Sequence, residues 1–422
     1  MIRTALKIFS CTSITTLLCV LLQATQAWPA NGDGLPTALR LATSRHPSVT
    51  AKLAELKSLG YDINAAEAGR YPSLSVQAQA MSGDQSQVVA RLQQPLWAGG
   101  RIDGGINLAE MRLHAAQAAF LQVRRQLMED TTATYAELLG ARERLRAAEL
   151  NVSEHEKLLG LISRRQAGSI ASEADVRLAR SRWTQAQTLR EQLLGAVDKA
   201  RGDLLALTQA PLEGLLAIED ELLNLPESAL IMAKAETSSP VVQQRLVEVK
   251  VAGIQTDLRR ADMMPTLYAQ LERDIVAADR NGTSSPDTRI GVALTGTVEG
   301  IGLAGFGRIK AATALVEAAR QDVETARNDV RRRTRALVSD RNTYLRVMEG
   351  NNLLVAATQE TLESFMRQYD AGRKSWVDVL NAQKELADAR QAMEQTKSSL
   401  MEFSLRLGVV TGQLDRYAEL QP

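Results

Sequence analysis

Apolar residues recur every seven positions along two long stretches of this chain. In the first they are Ile106, Leu113, Phe120 and Leu127, followed by Leu138, Leu145, Val152 and Leu159. A seven-residue repeat predicts helices buried against neighbours in a left-handed supercoil. The 11-residue step between the two series is a stutter that relaxes the supercoil locally. After the glycines of AGGRIDGG (98–105) the chain continues without proline and with only Gly140 and Gly160 inside it, until Gly168. A helix of about 65 residues spans about 100 Å at 1.5 Å per residue. A second stretch begins at GFGRIKAA (305–312) and repeats the pattern with Val316, Val323, Val330, Leu337 and Tyr344. The predicted long helices run over about 101–167 and 305–370.

Ahead of each long helix the period falls to two. Leu74, Val76, Ala78 and Ala80 alternate with Ser73, Ser75, Gln77 and Gln79. Beyond a polar turn, Val88, Ala90 and Leu92 alternate with Gln87, Arg91 and Gln93. This predicts a β-hairpin with strands at about 73–81 and 87–97. A second hairpin is predicted at about 266–274 and 289–298, around the long outer loop DRNGTSSPD (279–287). A soluble sandwich can carry such alternation, but strands of about ten residues with one strongly hydrophilic face also match a bilayer crossing. Four strands cannot close a barrel, and open strand edges cannot sit in hydrocarbon. Membrane-spanning strands therefore require several copies to build one barrel, and the heptad seams push the same way.

Shorter helices complete each unit. One is expected over about 36–69, locally broken at HPSV (46–49) because Pro47 disfavours helical geometry at His46. Others are expected over about 172–210 and 375–410, and before Pro265, where SSPVV (238–242) stands as RHPSV stood earlier. Matched landmarks lie about 200 residues apart, which points to one duplication and not a solenoid. The expected division is 28–210, a connector at 211–232, 233–411, and a tail at 412–422. Residues 1–27 have a basic start (Arg3, Lys7), an apolar core (Ile14–Leu22) and a small-residue end at Ala27, the pattern of a secretory signal peptide. Cys11 and Cys19 both lie inside it, which leaves the exported chain no disulfide framework.

Composition narrows the function. A net charge of +1 gives no argument for nucleic acid, and Arg331–Arg333, with acids nearby on the same helix, suggest a solvated face. The three histidines, His46, His114 and His155, are scattered, and His114 and His155 are expected to be exposed or interfacial. No metal-binding, nucleophile or phosphate-loop motif is present. The expectation is therefore a non-enzyme with no cofactor and no metal.

RYPSL (70–74), QPLWAGGRI (94–102), AGSIASEADV (167–176) and AGRKSWVDVLNAQKEL (371–386), in this duplicated order, resemble the TolC family of outer-membrane channel-tunnels over essentially the whole exported chain. The resemblance implies a mainly α fold with a small transmembrane β part: a homotrimer with a 12-strand β-barrel continued by a long α-helical periplasmic barrel. It also implies a periplasmic adaptor, an inner-membrane ABC or RND transporter and outer-membrane lipid as partners. By the same resemblance, Asp175, Tyr369, Lys374, Asp378 and Asn381 fall where a periplasmic gate lies; Asn381 stands where many members have aspartate. Gly168, Ser169, Gly372 and Arg373 fall at the tip where adaptors dock. The first tip turn counts one residue longer, Gly168 to Asp175 against Gly372 to Asp378. Pro95 and Trp97 close the second strand, at the membrane interface or against the helices. The glycine-rich EGIGLAGFGRI (299–309), which replaces the QPLWAGG pattern, resembles members serving type I secretion of large adhesins. The implied function is an exit duct for type I secretion, with multidrug efflux as the alternative. A periplasmic coiled-coil adaptor is the contrasting class, and the amphipathic hairpins argue against it.

Overall fold

The computed structural model describes residues 34–81, 85–212, 214, 217–218, 223, 228–277, 287–297 and 299–419. The signal-peptide segment, half of the connector and most of the 279–287 loop lie outside them. Helices α1 (Leu35–Arg45) and α2 (Pro47–Glu67) lead to strands β1 (Ser73–Met81) and β2 (Gln85–Trp97), then α3 (Arg101–Ala167) and α4 (Glu173–Thr208). The order recurs with α5 (Ser228–Ser238), α6 (Pro240–Ala261), β3 (Thr266–Ala277), β4 (Thr288–Thr295), α7 (Leu303–Asp370) and α8 (Trp376–Val410). The break between α1 and α2 falls at His46, whose backbone is extended, with Pro47 opening the next helix and the Ser48 N–H donating to His46 Nδ1 at 3.3 Å. No described helix is long and apolar enough to cross a membrane.

The helices form a side-by-side layer. Along α3, α2 packs beside the end nearer the strands, α1 beside the middle, and α4 runs beside the remainder. On its other flank α6 packs near the strands, with Leu258 against Gly104. Further along that flank α8 takes over, with Ser398 against Gly140. Helix α7 covers α6 and α8 in turn and stands at the edge of the layer. The main core lies midway, where Leu35, Leu39, Met128, Tyr135, Leu138, Leu204, Leu405 and Leu414 are almost completely buried.

The heptad expectation meets a correction in α3. From Ala141 on, the buried positions are Ala141, Arg144, Ala148, Asn151, His155, Leu158 and Ile162, at alternating steps of three and four. Leu145, Val152 and Leu159 are only half-buried. Small residues let the neighbouring helix approach closely, so alanine carries the seam and the leucines flank it. In α7 the expected series lands on the packed stripe, with Val323 and Leu337 buried and Val316, Val330 and Tyr344 half-buried. The Arg331–Arg333 run is also not simply solvated. Arg331 pairs with Glu236 at 2.9 Å and Arg333 with Glu129, both from other helices, while Arg332 stays exposed beside Asp329. Burial pushes the Glu129 carboxyl up from its ordinary range, more than Arg333 pulls it down.

The four strands form one antiparallel sheet in the order β1-β2-β3-β4. Its register aligns Leu74, Leu92, Leu271 and Ile290 in one row on one face. The next row, on the other face, is Ser75, Arg91, Glu272 and Arg289. The apolar face is bare: Leu74 is 70% and Ile290 83% exposed. Within the described residues β1 and β4 each have one strand neighbour, so both outer edges of the sheet are open.

Candidate functional site: the paired helical tips and the amphipathic sheet

At the end farthest from the sheet, α3 turns into α4 and α7 into α8 by the same device. In the first turn the Ser169 N–H donates to the Gln166 carbonyl at 2.8 Å and the Ile170 N–H to the Arg165 carbonyl at 2.9 Å. In the second the Gly372 N–H donates to Tyr369 at 3.0 Å and the Arg373 N–H to Gln368 at 2.8 Å. These paired bonds satisfy carbonyls that the helix end leaves free, and they require a left-handed residue just past the cap. Gly372 fills that position with φ +69°, and Ser169 fills it in the first turn with φ +62°. Gly168 has φ −82° and is the cap itself. Matched by conformation, Ser169 lies six residues before Asp175 and Gly372 six before Asp378, so the two turns are equal in length. The apparent extra residue comes from taking glycine as the landmark.

Each following helix starts with a reciprocal capping box. Ser172 Oγ accepts from the Asp175 N–H at 3.1 Å, while the Asp175 carboxylate accepts from the Ser172 N–H at 3.2 Å and hydroxyl at 2.7 Å. Ser375 and Asp378 repeat this at 3.2, 3.1 and 2.8 Å. Hydrogen bonds from Ser375, first its hydroxyl and then its backbone N–H, hold the Asp378 carboxyl below its ordinary range. Both gate-position aspartates thus form local caps as well as exposed charges.

The two tips are tied together by Arg165 and Arg182, which lie outside the gate positions but each meet a gate-position residue. Arg165, at the end of α3, reaches Asp370 at 2.6 Å and lies over the Tyr369 ring at 4.7 Å. Tyr369 in turn packs on Trp376, with ring centroids 5.1 Å apart. Trp376 is 3% exposed, in a cluster with Leu158, Ile162, Ala179, Val379 and Leu380. Lys374 stands over Phe365 at 4.2 Å. Asn381 accepts from Arg182 of α4 at 3.4 Å. Tyr369 and Asn381 therefore join the two hairpins through Arg165 and Arg182, whereas Asp175, Lys374 and Asp378 hold contacts within their own hairpins. Basic Arg165 at a helix end was the available signal for its role; its partners, about 200 residues on, were not readable from spacing.

About two to four turns back from the tip lies a polar layer. Gln383, almost fully buried, donates to Glu154 at 2.5 Å and Asn151 at 3.4 Å, and Arg390 pairs with Glu154 at 3.0 Å. His155 is 4% exposed, which corrects the expectation of an exposed or interfacial ring, and its Nδ1 has no hydrogen-bond partner among the described residues. Burial, reinforced by Arg182 and opposed by Glu154, pushes the His155 imidazole down from its ordinary value. His114 is exposed, with Nδ1 3.1 Å from Gln117 Oε1.

At the opposite end, the sheet joins the helices through Pro95 and Trp97. Pro95 pairs with Tyr268; a register shift then sets Trp97 opposite Leu267, on the apolar face with Leu294. Trp97 is 50% exposed. The opposite face is charged. Glu272 pairs with Arg91 at 3.0 Å and Arg289 at 3.2 Å, and Arg289 also reaches Asp274 at 3.1 Å. A sheet with one apolar and one ion-paired face can separate hydrocarbon from a wet interior.

The chain is similar to known proteins along most of its length. The pattern of the family described as outer membrane efflux protein matches residues 38–209 and 231–413. The "Outer membrane efflux protein BepC" of Brucella suis biovar 1 (strain 1330) is 22% identical over 319 residues, 68% of this chain and 69% of BepC. Among solved structures, CusC superposes with a TM-score of 0.77 at 14% identity, covering 89% of this chain and 91% of CusC. The outer membrane protein VceC of Vibrio cholerae gives 0.73 at 16% identity, covering 90% and 96%. The duplicated order, the amphipathic sheet and the match across both halves converge: this chain belongs to the outer membrane efflux protein family, channel proteins and not enzymes.

Proposed function

We propose that three copies of this chain close a 12-strand barrel in the outer membrane and continue it as a tube of helices into the periplasm. This tube serves as the passive exit duct of a tripartite export system. The single observation that carries the proposal is the open four-stranded sheet with a bare apolar face, standing on two long helices. Its edges, β1 and β4, are free to pair with further copies, and only closure satisfies their N–H and C=O groups in hydrocarbon. A periplasmic adaptor meets the paired tips, at Gly168, Ser169, Gly372 and Arg373, and links the duct to an inner-membrane transporter. The family's description and BepC's name both say efflux, which favours an efflux channel. The resemblance of the glycine-rich junction EGIGLAGFGRI (299–309) to members serving type I secretion favours the second reading, type I protein secretion. Heat-modifiable oligomers from outer-membrane fractions, with conductance in planar bilayers, are the expected result; a soluble periplasmic monomer would remove the duct. A deletion strain separates the cargoes: loss of one large surface protein points to secretion, and drug hypersensitivity with an unchanged surface proteome points to efflux.

Closure in this reading belongs to the tips. Contacts between hairpins, Arg165 with Asp370 and Tyr369, and Arg182 with Asn381, are exposed or half-exposed. Each such pair contributes about 0–1 kcal/mol, which suits a reversible gate. Arg165→Ala should raise conductance more than Asp175→Ala, because Asp175 bonds within its own turn. Ser172→Ala removes the cap and keeps the carboxylate. If it raises conductance as much as Asp175→Ala, the Asp175 effect is helix capping and not gating.

A further inference from the structure

The membrane-facing side of the sheet carries one charge. Along β3, Leu267, Ala269 and Leu271 occupy the apolar face, and two residues further the alternation places Arg273 on that same face. Its register partners are Ala90 on β2 and Thr288 on β4, and Val76 completes the row on β1. The neighbouring acids Glu272 and Asp274 point to the opposite face, where they hold Arg91 and Arg289. Arg273 is exposed and forms no ion pair among the described residues. A guanidinium without a counter-ion on a hydrocarbon-facing surface is costly near the middle of a membrane and far less so near its boundary.

Depth places it toward the outer boundary. Trp97 and Leu267 lie opposite each other at the helix-proximal end of the apolar face. Six residues of β3 separate Leu267 from Arg273, about 20 Å along the strand. At a tilt of about 40° this is about 16 Å of the roughly 25 Å apolar band of a barrel. The long apolar stem of arginine lets its head snorkel across much of the remaining distance. The alanine and threonine beside it leave the stem uncrowded. Since β3 has β2 on one side and β4 on the other, this row stays on the outer surface when another copy pairs with either free edge.

We propose that Arg273 binds a phosphate of an anionic lipid headgroup in the outer leaflet, with the Thr288 hydroxyl beside it as a second donor. This inference rests on the sheet spanning the outer membrane. Arginine suits the role because its planar donor fork matches phosphate oxygens and keeps its charge at any physiological pH. The occupant is a lipid phosphate and not a protein acid, because the surrounding row is apolar or small and offers a second chain no polar complement.

The test uses the full-length, detergent-purified protein, stripped of bound lipid and titrated with bisphosphorylated lipid A, its dephosphorylated counterpart and inorganic phosphate, read by native mass spectrometry. Wild type should bind the phosphorylated lipid about tenfold more tightly than the dephosphorylated one, the ratio a charge-assisted contact supplies. Arg273→Gln should abolish that ratio, Arg273→Lys should keep part of it, and Arg320→Gln, on the exposed face of α7, should leave it unchanged. Equal binding by wild type and Arg273→Gln overturns the proposal, and so does inorganic phosphate displacing the lipid at low concentration. Outer-membrane fractionation runs alongside. Arg273→Gln that still fractionates as heat-modifiable oligomers while binding lipid as wild type does defeats this inference alone. Wild type absent from the outer membrane defeats the duct as well.

Discussion

Helices α3 and α7 are counterparts in the duplicated chain, nearly equal in length, yet they occupy different environments. Eighteen residues of α3 are buried, on more than one side, against α1, α2, α4, α6 and α8. Only five residues of α7 are buried, all on one stripe, and its other faces carry exposed Leu315, Leu353 and Leu354. Both began from the same heptad rule, so the rule does not decide burial. Position in the layer does: α3 is enclosed by its own chain, and α7 forms the border. The duplication thus yields one helix enclosed by its own chain and one whose outer faces, with exposed leucines, stay uncovered on the protomer.

The largest test of this contrast uses two glycines. A Cβ on Gly140 of α3 would overlap the Cβ and Oγ of Ser398 on α8, whereas a Cβ on Gly350 of α7 meets nothing within 4 Å. Gly140→Ala should therefore destabilise the protein by about 1–3 kcal/mol through overpacking. Gly350→Ala should stabilise it by about 0.5–1 kcal/mol through the reduced freedom of the unfolded chain. Denaturant melts of the two variants check the pair. If Gly350→Ala destabilises as much as Gly140→Ala, α7 is as enclosed as α3 and the border assignment is wrong.

A second effect separates the two helices by pH. His155 is buried in α3, and the titratable and charged groups around it are Glu154 and the neighbouring Arg182, with Arg390 of α8 paired to Glu154. In the unfolded chain the imidazole gains a proton near its ordinary value of about 6.5, while the buried ring resists until lower pH. The associated stability is whole above that ordinary value and is lost as pH falls toward the depressed folded value. Amide protection factors (exchange corrected for its intrinsic pH dependence) in the tip-proximal halves of α3, α4 and α8 should fall between pH 7.5 and 5, and His155→Gln should flatten the response. An unchanged pH profile in the variant would assign the effect to other groups.

The sequence carried the elements further than their contacts. Heptads and alternation located both long helices and all four strands because each signal is local and periodic. The buried seam of α3 leaves no apolar periodicity in the sequence, because alanine, asparagine and histidine at positions 148, 151 and 155 carry it in place of large apolar residues. The partners of Arg331 and Arg333 stand 95 and 204 residues away, beyond anything spacing can show. At the tips, Gly168 and Gly372 look equivalent by composition, yet conformation pairs Ser169 with Gly372.

That mismatch supplies the smallest and most local prediction. Ser169 holds φ +62° where Gly372 holds φ +69° without a Cβ, so the first tip stores backbone strain that the second avoids. A left-handed conformation costs a residue with a Cβ about 1–2 kcal/mol, and serine recovers little of this locally. Ser169→Gly should relieve up to about 1 kcal/mol, because glycine's greater freedom in the unfolded chain offsets part of the gain. Gly372→Ser should cost a similar amount. Amide exchange at Ile170 and Arg373, whose N–H groups close the two turns, reports each change at its own tip. Slower exchange at Ile170 in Ser169→Gly and faster exchange at Arg373 in Gly372→Ser would establish the two turns as one motif. If Ser169→Gly instead accelerates exchange at Ile170, the serine side chain stabilises the turn, and the two tips differ in more than a Cβ.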